Sequence, residues 1–403
     1  MSCGATDVGI VSLESFKDEE INKIKEIFPK TRALISIAVK HNPNAIKSQH
    51  RSVSNNEYHY AIKKLHKVTY DLENELIKKG MEVVAAVADF PMETDISRPN
   101  AWLISHKEVA VKAGIGKMGL NTLVIHEIYG PNIILNTILI DYEPDKYDKE
   151  IEENPCINCN LCKTVCPTGS ISEDGFNFTG CYTHNYRDMR NGFLDLTNRL
   201  ESGNKKLDKI NSAEKSAIWQ SVYSGPNYRC SYCVAVCPAA KGEVENFKKD
   251  RKAYYDTYVK PFKEKEENIY VLKGSDSDYY VDKLEKKRKK YVSNGMEMRN
   301  VQYFRNALKL GFQKNHAKDV EVIYHFIFTG EENLQFTVDI NRGKLKVTDG
   351  LAGKPNLVLN ADSRKWVEFL STGKGLMTGI ITGKIKIKGS PKLLKEFSKY
   401  FPN

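Results

Sequence analysis

Cysteine spacing constrains the fold of this chain more than any other feature of its sequence. Cys156, Cys159, Cys162 and Cys166 follow the spacing C-x2-C-x2-C-x3-C, and Pro167 comes directly after them. Short spacers let three thiolates converge on one cube of iron and sulfide, while the fourth cysteine reaches a second cube. The run therefore predicts ligands for a pair of [4Fe-4S] clusters.

A second set of cysteines lies further along the chain. Cys230, Cys233 and Cys237 precede Pro238 in the form C-x2-C-x3-C-P and supply three ligands, so that a fourth has to come from elsewhere, and Cys181 is available. If the ligands cross between clusters as in two-cluster ferredoxins, the sequence predicts two sets of four. One set is Cys156, Cys159, Cys162 and Cys237, and the other is Cys166, Cys181, Cys230 and Cys233.

Zinc is the alternative metal, because it also binds four thiolates in tetrahedral geometry. Zinc sites commonly bring two C-x2-C pairs together. An unbroken run of four cysteines followed by proline, matched by a second run that ends in Cys-Pro, instead favours two adjacent iron–sulfur cubes, which would relay electrons. Cys3 is the one cysteine of the nine that this pattern leaves as a spare thiol.

Length and composition indicate a multidomain protein in a reducing compartment. The 403 residues exceed what one hydrophobic core usually organises. No stretch approaches the roughly 18 apolar residues of a membrane span, and the segment from Met1 to Asp7 lacks the basic and apolar parts of an export signal. We therefore expect a cytoplasmic protein with no membrane span.

The net charge of +10 could attract an anionic partner such as nucleic acid. Part of the excess lies in runs such as Lys286 to Lys290. Runs of this kind more often form a solvated helix face than a binding site, and we expect that here.

Hydrophobic patterning predicts an α/β domain over residues 1–150. Residues 33–39 and 81–87 are short apolar runs typical of buried strands, and a helix with apolar positions from Ala61 to Ile77 lies between them and stops at Gly80. Residues 132–141 predict a further strand. The order suggests a strand, helix, strand unit.

The rest of the chain divides into three predicted segments. Residues 151–245 hold the eight clustered cysteines and predict a ferredoxin-like domain, and the charged residues 246–300 predict a helical or extended linker. Residues 301–403 predict an α+β domain. Its strands are expected at 320–328, 334–340, 344–347 and 357–361, and its helices at 363–372 and 391–400.

The glycine-rich segment from Ala113 to Leu123, followed by Tyr129-Gly130 and the cysteine run, resembles epoxyqueuosine reductases and the related reductive dehalogenases. Three further features agree. Glu57-Tyr58-His59 is similar to the family's Asp-Tyr-His, Ile35 to Pro43 to its first strand and loop, and Cys181-Tyr182-Thr183 to its Cys-Ile-Ser. The resemblance covers residues 30–240.

The resemblance implies a cobalamin-dependent iron–sulfur enzyme. Electrons would pass from a low-potential donor such as ferredoxin or flavodoxin through the clusters to a corrinoid, which reduces an organic substrate. The candidate cofactor-binding residues lie in the glycine-rich segment: Gly114, Gly116, Lys117, Met118, Gly119, Asn121 and Thr122. Glycine allows close backbone approach, which a bulky flat cofactor or a tightly packed turn would each require.

The chain departs from the epoxyqueuosine reductase pattern at the proton donor. The family's aspartate falls at Asn100, and asparagine cannot supply a proton as a carboxylic acid would. Lys117 and Leu120 also stand where the family has Trp and Lys. Both departures bear on whether the substrate is the tRNA of that family.

Three other side chains are candidates for the acid. His106 is our first choice, because it precedes the helix that leads into the glycine-rich segment and an imidazole titrates near neutrality. A histidine that caps or packs at a helix start is the alternative explanation. Tyr129 and Tyr58 are the further candidates.

The C-terminal segment resembles a sterol carrier protein 2 domain. Phe336 to Ile340, Gly343 to Leu345, Leu357 to Asp362, Gly373 to Gly375 and Gly383 to Gly389 carry the resemblance. It implies an α+β layer with an apolar tunnel for lipid-like ligands.

Three functions follow from these patterns. The leading hypothesis is a cobalamin-dependent iron–sulfur reductase that acts on a small or lipid-like organic substrate. The second is a non-catalytic electron-transfer partner that reactivates the corrinoid of another protein. The third is an epoxyqueuosine reductase that acts on tRNA and uses another acid.

Overall fold

The computed structural model describes residues 3–93, 102–173, 175–201, 210–293 and 295–402. Asn100, at the position of the family's aspartate, lies outside these residues. No helix of the described ranges is both long and apolar enough to cross a bilayer.

A four-stranded sheet forms the N-terminal region. Its elements are β1 (Asp7–Ser12), α1 (Asp18–Ile27), β2 (Ala33–Lys40), α2 (Pro43–Ile46), α3 (Arg51–Lys78), β3 (Val83–Ala85), α4 (His106–Lys112), β4 (Lys117–Met118), β5 (Val124–Ile125) and β6 (Ile133–Ile140). The strand order is β1-β2-β6-β3, and β4 and β5 form a separate hairpin. The predicted strands and the helix between them are confirmed.

The register of this sheet places two loops side by side. Strands β2 and β3 both pair antiparallel with β6, so they run parallel to each other with β6 between them. Helix α3 packs Leu65 and Val68 against one face of the sheet. Val109 of α4 packs on the other face. Because β2 is buried on both faces, it has the continuous apolar sequence that predicted it.

The cysteine-rich region is built from short elements. They are α5 (Leu161–Val165), β7 (Ile171–Ser172), β8 (Gly175–Phe176), α6 (Phe178–Asn185), α7 (Arg190–Glu201), α8 (Ser212–Ser224) and α9 (Tyr232–Ala235). Leu161, Val165 and Val236 belong to a small apolar cluster beneath the cysteines. Its core is completed by residues that follow it in the chain.

Residues 246–300 are not the charged linker that composition predicted. They contain most of α10 (Glu243–Lys249), then α11 (Arg251–Tyr254), a π-helical turn at 255–259, α12 (Lys260–Glu264), β9 (Glu267–Val271), α13 (Asp276–Val281) and β10 (Lys287–Tyr291). Strands β9 and β10 form a parallel pair. Phe247 and Phe262 join the apolar cluster beneath the cysteines. This segment therefore belongs to the core of the cysteine-rich region.

The lysine run also differs from its prediction, because Lys287 to Lys290 lie in strand β10 and not on a helix face. The Lys287 side chain is 4% exposed, and its Nζ lies 2.6 Å from Glu267 Oε1. Lys289 Nζ lies 2.6 Å from Asp278 Oδ1. Acidic partners 20 and 11 residues away in sequence thus neutralise the charges of Lys287 and Lys289, which the sequence predicted to be solvated.

The C-terminal region is a five-stranded sheet covered by helices on one face. It comprises α14 (Val301–Gly311), β11 (Glu321–Thr329), β12 (Leu334–Asn341), β13 (Lys344–Asp349), β14 (Leu357–Asp362), α15 (Ser363–Thr372), α16 (Leu376–Ile381), β15 (Ile385–Gly389) and α17 (Pro391–Tyr400). The strand order is β13-β12-β11-β14-β15. The four predicted strands and two predicted helices are confirmed, whereas α14, α16 and β15 were not predicted.

Gln313 connects the C-terminal region to the cysteine-rich region. It is fully buried, and its Oε1 accepts hydrogen bonds from Asn177 Nδ2 at 3.3 Å and from the backbone N–H of Asp276 at 2.8 Å. Thr179 Oγ1 donates to Leu310 O at 2.7 Å. Helix α6, which carries Cys181, is therefore packed against helix α14.

Candidate active site

The first set of cysteines surrounds one small cavity. Cys156, Cys159, Cys162 and Cys237 all line it, and its volume is about 20 Å³. Asn158 and Asn160 in the connecting loop have φ of 51° and 63°. Alternation of left-handed residues curls a backbone into the kind of concave nest that surrounds many iron–sulfur clusters. We call this space the first cluster cavity.

The second set surrounds a larger cavity of about 330 Å³. Cys166, Cys181, Cys230 and Cys233 all line it. The structure thus brings the eight cysteines together in the two crossed sets that the spacing predicts. We call this space the second cluster cavity.

Backbone N–H groups partly offset the effect of burial on the thiols of both sets. Burial raises the pKa of Cys159 and Cys237, and the nearby N–H groups of Leu161 and Ala239 lower it. Tyr232 does the same for Cys230. Hydrogen bonds to thiolate sulfur stabilise its negative charge and tune the reduction potential of a cluster.

Burial disfavours the charged form of these thiols. It raises the pKa of the Cys162, Cys181 and Cys237 thiols to about 12. It also raises the pKa of Cys230 and Cys233 well above the usual thiol range. Because a buried thiolate without a counter-charge is unfavourable, binding of a metal here would be coupled to release of the thiol protons.

The eight cysteines lie in two groups of four, each around its own cavity. In the described ranges, no three His, Cys, Asp or Glu side chains form a group that could hold a single metal ion. A zinc ion needs all of its thiolates at about 2.3 Å from one centre. The cysteines instead face two shared spaces, as the ligands of a cube do.

A third cavity of about 250 Å³ adjoins the second cluster cavity. We call it the aromatic cavity; its ring-bearing walls are His41, Tyr58, Phe90, Trp102, His106, Tyr186 and Tyr228. Six residues line both it and the second cluster cavity: Tyr58, Lys107, Leu123, Tyr186, Tyr228 and Val234. A molecule bound here would be separated from the second set of cysteines by one layer of side chains.

His106 lines the aromatic cavity, but both of its ring nitrogens have partners. Nδ1 lies 2.9 Å from Thr137 Oγ1, and Nε2 lies 2.9 Å from the carbonyl oxygen of Val87. Burial lowers its pKa, which favours the neutral ring. The geometry matches the alternative of a histidine packed at a helix start, because it has no free N–H for a substrate.

The two tyrosine candidates lie in different places. Tyr129 is not among the described residues that line the aromatic cavity; its ring packs near His126 and below Lys40 Nζ. Tyr58 lines the cavity and the second cluster cavity. Burial raises the pKa of Tyr58 far above the usual tyrosine range, so it stays protonated.

The glycines of the glycine-rich segment serve close packing within the chain. A Cβ on Gly114, which has φ +74°, would lie 2.5 Å from Lys149 O, and one on Gly116 would collide with Ile125 O. Lys117 Nζ binds Glu152 O at 2.8 Å, and Met118 is 40% exposed. These positions form the tightly packed turn that was the alternative to a cofactor contact.

Two residues of that segment do face the clusters. Asn121 lines both cluster cavities, and Thr122 lines the second. Lys107 Nζ donates to Thr122 O at 3.1 Å and belongs to the wall shared with the aromatic cavity. Lys107 thus places an amino group at the wall of the second cluster cavity, where burial lowers its pKa.

Sequence reasoning missed the polar residues at the ends of β2 and β3. His41 follows β2, and Asp89 lies four residues after β3. Since β2 and β3 are parallel, both side chains emerge at the same sheet edge, where α/β sheets commonly bind ligands. A polar residue just beyond a predicted buried strand was the signal available.

His41 presents an unpaired polar atom at this edge. It is 4% exposed, and its Nδ1 has no hydrogen-bond partner among the described residues. Burial lowers its pKa to about 4, so its ring is neutral at pH 7. Its ring packs against Tyr58 at 4.7 Å between centroids. Such an atom on a cavity wall fits a ligand that supplies the missing hydrogen bond.

Two sets of contacts fix helix α3 to the cysteine-rich region. Asn55 donates to Tyr228 O at 3.0 Å and accepts from Tyr228 N at 2.8 Å. Asp188 binds Arg51 at 2.6 Å and Arg229 at 2.8 Å. These contacts hold the wall between the aromatic and second cluster cavities in place.

The aromatic cavity is smaller than a corrinoid requires. Sites for drug-sized ligands measure about 300–1,000 Å³, and a corrinoid is larger than those ligands. The described walls enclose about 250 Å³, and residues 94–101, between the wall residues Phe90 and Trp102, lie outside the described residues. A bound corrinoid would have to extend beyond these walls.

A separate apolar cavity of about 780 Å³ lies in the C-terminal region. Its lining is mostly hydrophobic and comes chiefly from α14, α15, α16 and α17, with Phe304, Trp366 and Phe397 among its residues. The space suits an extended apolar molecule, as the resemblance of this segment implies.

Comparison with known proteins supports both resemblances. Residues 305–402 match the SCP-2 sterol transfer family. The chain is 31% identical over 147 residues to an epoxyqueuosine reductase of Listeria monocytogenes, covering 36% of this chain and 32% of the relative. It is 25% identical over 219 residues to the epoxyqueuosine reductase of Staphylococcus aureus, covering 53% and 50%.

Among solved structures, that of epoxyqueuosine reductase from Streptococcus thermophilus is 18% identical, with a TM-score of 0.36, and the match covers 64% of this chain and 72% of that one. The chain spans half or less of the length of the two curated relatives. The similarity to epoxyqueuosine reductases predicted from the motifs is confirmed, and so is the C-terminal domain.

Proposed function

We propose that this chain is an iron–sulfur oxidoreductase of the epoxyqueuosine reductase type. Two [4Fe-4S] clusters would pass electrons to a substrate in the aromatic cavity. The observation that carries the proposal is the arrangement of cavities: four cysteines line each of two, and the second shares six wall residues with the aromatic cavity.

The positions of the cavities set the direction of electron flow. The second cluster cavity shares wall residues with the aromatic cavity, whereas the first cluster cavity shares none among the described residues. An external low-potential donor such as ferredoxin or flavodoxin would therefore reduce the first cluster. The second cluster would deliver the electrons to the aromatic cavity.

We also propose that the aromatic cavity receives part of a corrinoid, as the resemblance of the glycine-rich segment implies. The residues that would face it are His41, Tyr58, His106 and Tyr228. When bound, a corrinoid supplies a strongly reducing metal centre. The residues of this chain would orient the ligand, exclude water and control protons. The free Nδ1 of His41 offers the ligand a hydrogen bond.

The names of the curated relatives make epoxyqueuosine in tRNA the first substrate to test. Removal of an epoxide oxygen takes two electrons and two protons and yields an alkene and water. The net charge of +10 suits a polyanionic substrate. The aromatic walls suit a base that leaves its stack.

The C-terminal cavity favours a second candidate, which is reduction of a lipid-like molecule. The cavity of about 780 Å³ is apolar, and its helix α14 packs on the helix that carries Cys181 through Thr179 and Leu310. A chain that only reduced tRNA would not need this cavity.

Anaerobic purification with a corrinoid supplied tests the proposal. We expect about eight iron atoms per chain, a corrinoid absorption spectrum, and reduction of an epoxyqueuosine-containing tRNA stem-loop by dithionite. Equal reduction of an epoxy fatty acid would favour the second candidate. Zinc without iron would refute the redox function. Clusters without corrinoid or turnover would instead support the electron-transfer partner.

A further inference from the structure

The proposed reaction needs protons inside the aromatic cavity, and the three side chains predicted to supply them are poorly suited to do so. His106 has both nitrogens engaged, and Tyr129 lies away from the cavity lining. Tyr58 lines the cavity, but burial raises its pKa far above the usual tyrosine range, which makes it a weak acid. We propose that Asp89 is the catalytic acid of the aromatic cavity and that His66 resupplies its proton from solvent. This inference rests on the proposed function and deepens it.

Asp89 has the position that an acid requires. Among the described residues that line the aromatic cavity, it carries the only carboxyl group. Its side chain is 11% exposed, and its backbone oxygen accepts a hydrogen bond from Trp102 Nε1 at 3.1 Å. Trp102 also lines the cavity, so the contact fixes the chain at Asp89 against that wall.

The two carboxyl oxygens of Asp89 have different surroundings. Oδ1 lies 3.0 Å from His66 Nε2. Oδ2 has no hydrogen-bond partner among the described residues. One oxygen can therefore receive a proton from His66 while the other remains available to a substrate.

His66 connects this carboxyl group to solvent. It lies on helix α3, four residues after Ile62, which lines the cavity. Its side chain is 47% exposed. An imidazole with one nitrogen on a buried acid and its ring open to water can carry a proton between the two.

The other titratable groups around the pair do not compete for this role. Burial lowers the pKa of His41 and of His106, so both rings are neutral. Burial raises the pKa of Tyr228, which also feels the Asp89 charge, to about 12. Lys107 is the cation of the same cavity, and its Nζ is bound to Thr122 O. Asp89 and His66 are left as the pair that can exchange a proton with solvent.

The proton step balances with the proposed reduction. An O–H bond forms at the substrate oxygen as the O–H bond of the Asp89 carboxyl group breaks, while the C–O bond of the substrate breaks with electrons from the clusters. The Asp89 carboxylate then takes the Nε2 proton of the His66 imidazolium, and water reprotonates His66. Two such transfers and two electrons convert an epoxide into an alkene and one water.

Turnover of the loaded enzyme on an epoxyqueuosine stem-loop tests the acid. General acid catalysis contributes roughly 10²–10⁴-fold, so Asp89→Asn should lower the rate at least about a hundredfold. Asp89→Glu should recover part of it. Iron content and stem-loop affinity, measured by fluorescence anisotropy, should not change. Asp71→Asn, which removes a half-exposed carboxylate of α3 paired with Lys67, is the matched control.

The role of His66 has its own readout. We expect His66→Ala to lower the rate about tenfold and added imidazole to restore it, because a free imidazole can replace a shuttle but not a packing contact. His59→Gln is the control: His59 lies on the same helix, and its Nε2 binds Pro226 O at 2.9 Å.

A measurement without substrate separates this inference from the proposed function. Diethyl pyrocarbonate should modify His66 faster in Asp89→Asn than in the wild type, because the partner of Nε2 has become a neutral amide. An unchanged modification rate would overturn the pair. A wild type that turns over while Asp89→Asn keeps its rate would overturn the acid and leave the proposed function intact.

Discussion

The cysteine-rich region and the C-terminal region differ in the interactions that would stabilise their folds. In the first, eight thiols face two cavities, and the apolar cluster beneath them is assembled from short, distant segments. In the second, Phe304, Phe326, Phe336 and Trp366 belong to one continuous aromatic core. The comparison teaches that the cysteine-rich region would depend on the proposed clusters to complete its small core, whereas the C-terminal region packs its own aromatic core.

Loss of one cluster ligand should have the largest effect. Cys233 lines the second cluster cavity, and burial raises the pKa of its thiol well above the usual range. We expect Cys233→Ser to reduce iron from about eight to about four atoms per chain and to abolish turnover. Calorimetry should show a lower unfolding temperature for the cysteine-rich region alone.

The control for this change is Cys3→Ser, because Cys3 faces neither cluster cavity. It should leave iron content and both unfolding transitions as they are. If Cys233→Ser kept all of its iron, or if the C-terminal transition fell with the first, the contrast between the two regions would be wrong.

Truncation of the aromatic core is the converse experiment. Phe326 is fully buried, and its ring centroid lies 5.0 Å from that of Phe336 and 5.5 Å from that of Phe304. Phe326→Ala should destabilise the C-terminal region by about 3–5 kcal/mol through lost contacts and a cavity. Urea unfolding followed by tryptophan fluorescence measures this, because Trp366 belongs to the same core.

Iron content should stay unchanged in Phe326→Ala. The matched control is Ile381→Ala, since Ile381 is 80% exposed in the same region and exposed substitutions usually change stability by about 0.5 kcal/mol or less. Loss of iron in Phe326→Ala would show that the two regions fold as one unit.

The same contrast explains what the sequence could predict. Cysteine spacing is local, so the two sets of ligands could be assigned from the run itself and from Cys181. Periodicity predicted β11 and β12, whose alternating residues face one core. Strand β10 was missed because its lysines are neutralised by Glu267 and Asp278, which the chain brings near only on folding.

The aromatic cavity was the hardest part to predict. Its proposed acid, Asp89, lies beyond the end of a strand and contacts His66 of helix α3, which precedes it by 23 residues. No periodicity marks such a pair. The glycine-rich segment was predicted to contact a cofactor, whereas Gly114 and Gly116 pack against the chain itself.

Lowering the pH should destabilise the region around the aromatic cavity, through His41, more than the C-terminal region. Burial lowers the pKa of His41 to about 4, so the unfolded chain, with a pKa of about 6.5, binds the proton first. The stabilisation by the neutral ring is complete above pH 6.5 and is lost as pH falls towards 4. Between pH 7 and pH 5 the loss should be about 2 kcal/mol.

His41→Phe should remove this pH dependence, because phenylalanine keeps an aromatic ring against Tyr58 and has no titratable group. Urea unfolding at both pH values measures the difference between variant and wild type, in which effects common to both cancel. The C-terminal transition serves as the internal control. An equal loss of unfolding free energy between pH 7 and pH 5 in wild type and variant would show that His41 is not the cause.

The smallest expected effect lies at a helix start in the C-terminal region. Asp362 caps α15, and its Oδ1 accepts a hydrogen bond from Lys365 N at 3.0 Å. Since α15 carries Trp366 into the aromatic core, Asp362→Ala should destabilise this region by about 1 kcal/mol, with iron content unchanged. Glu331→Ala is the control, because its contact with Arg364 is exposed and 3.9 Å long. If the loss appeared in the cysteine-rich transition instead, the helix cap would be coupled to the clusters through Gln313, and the two regions could no longer be treated as separately stabilised.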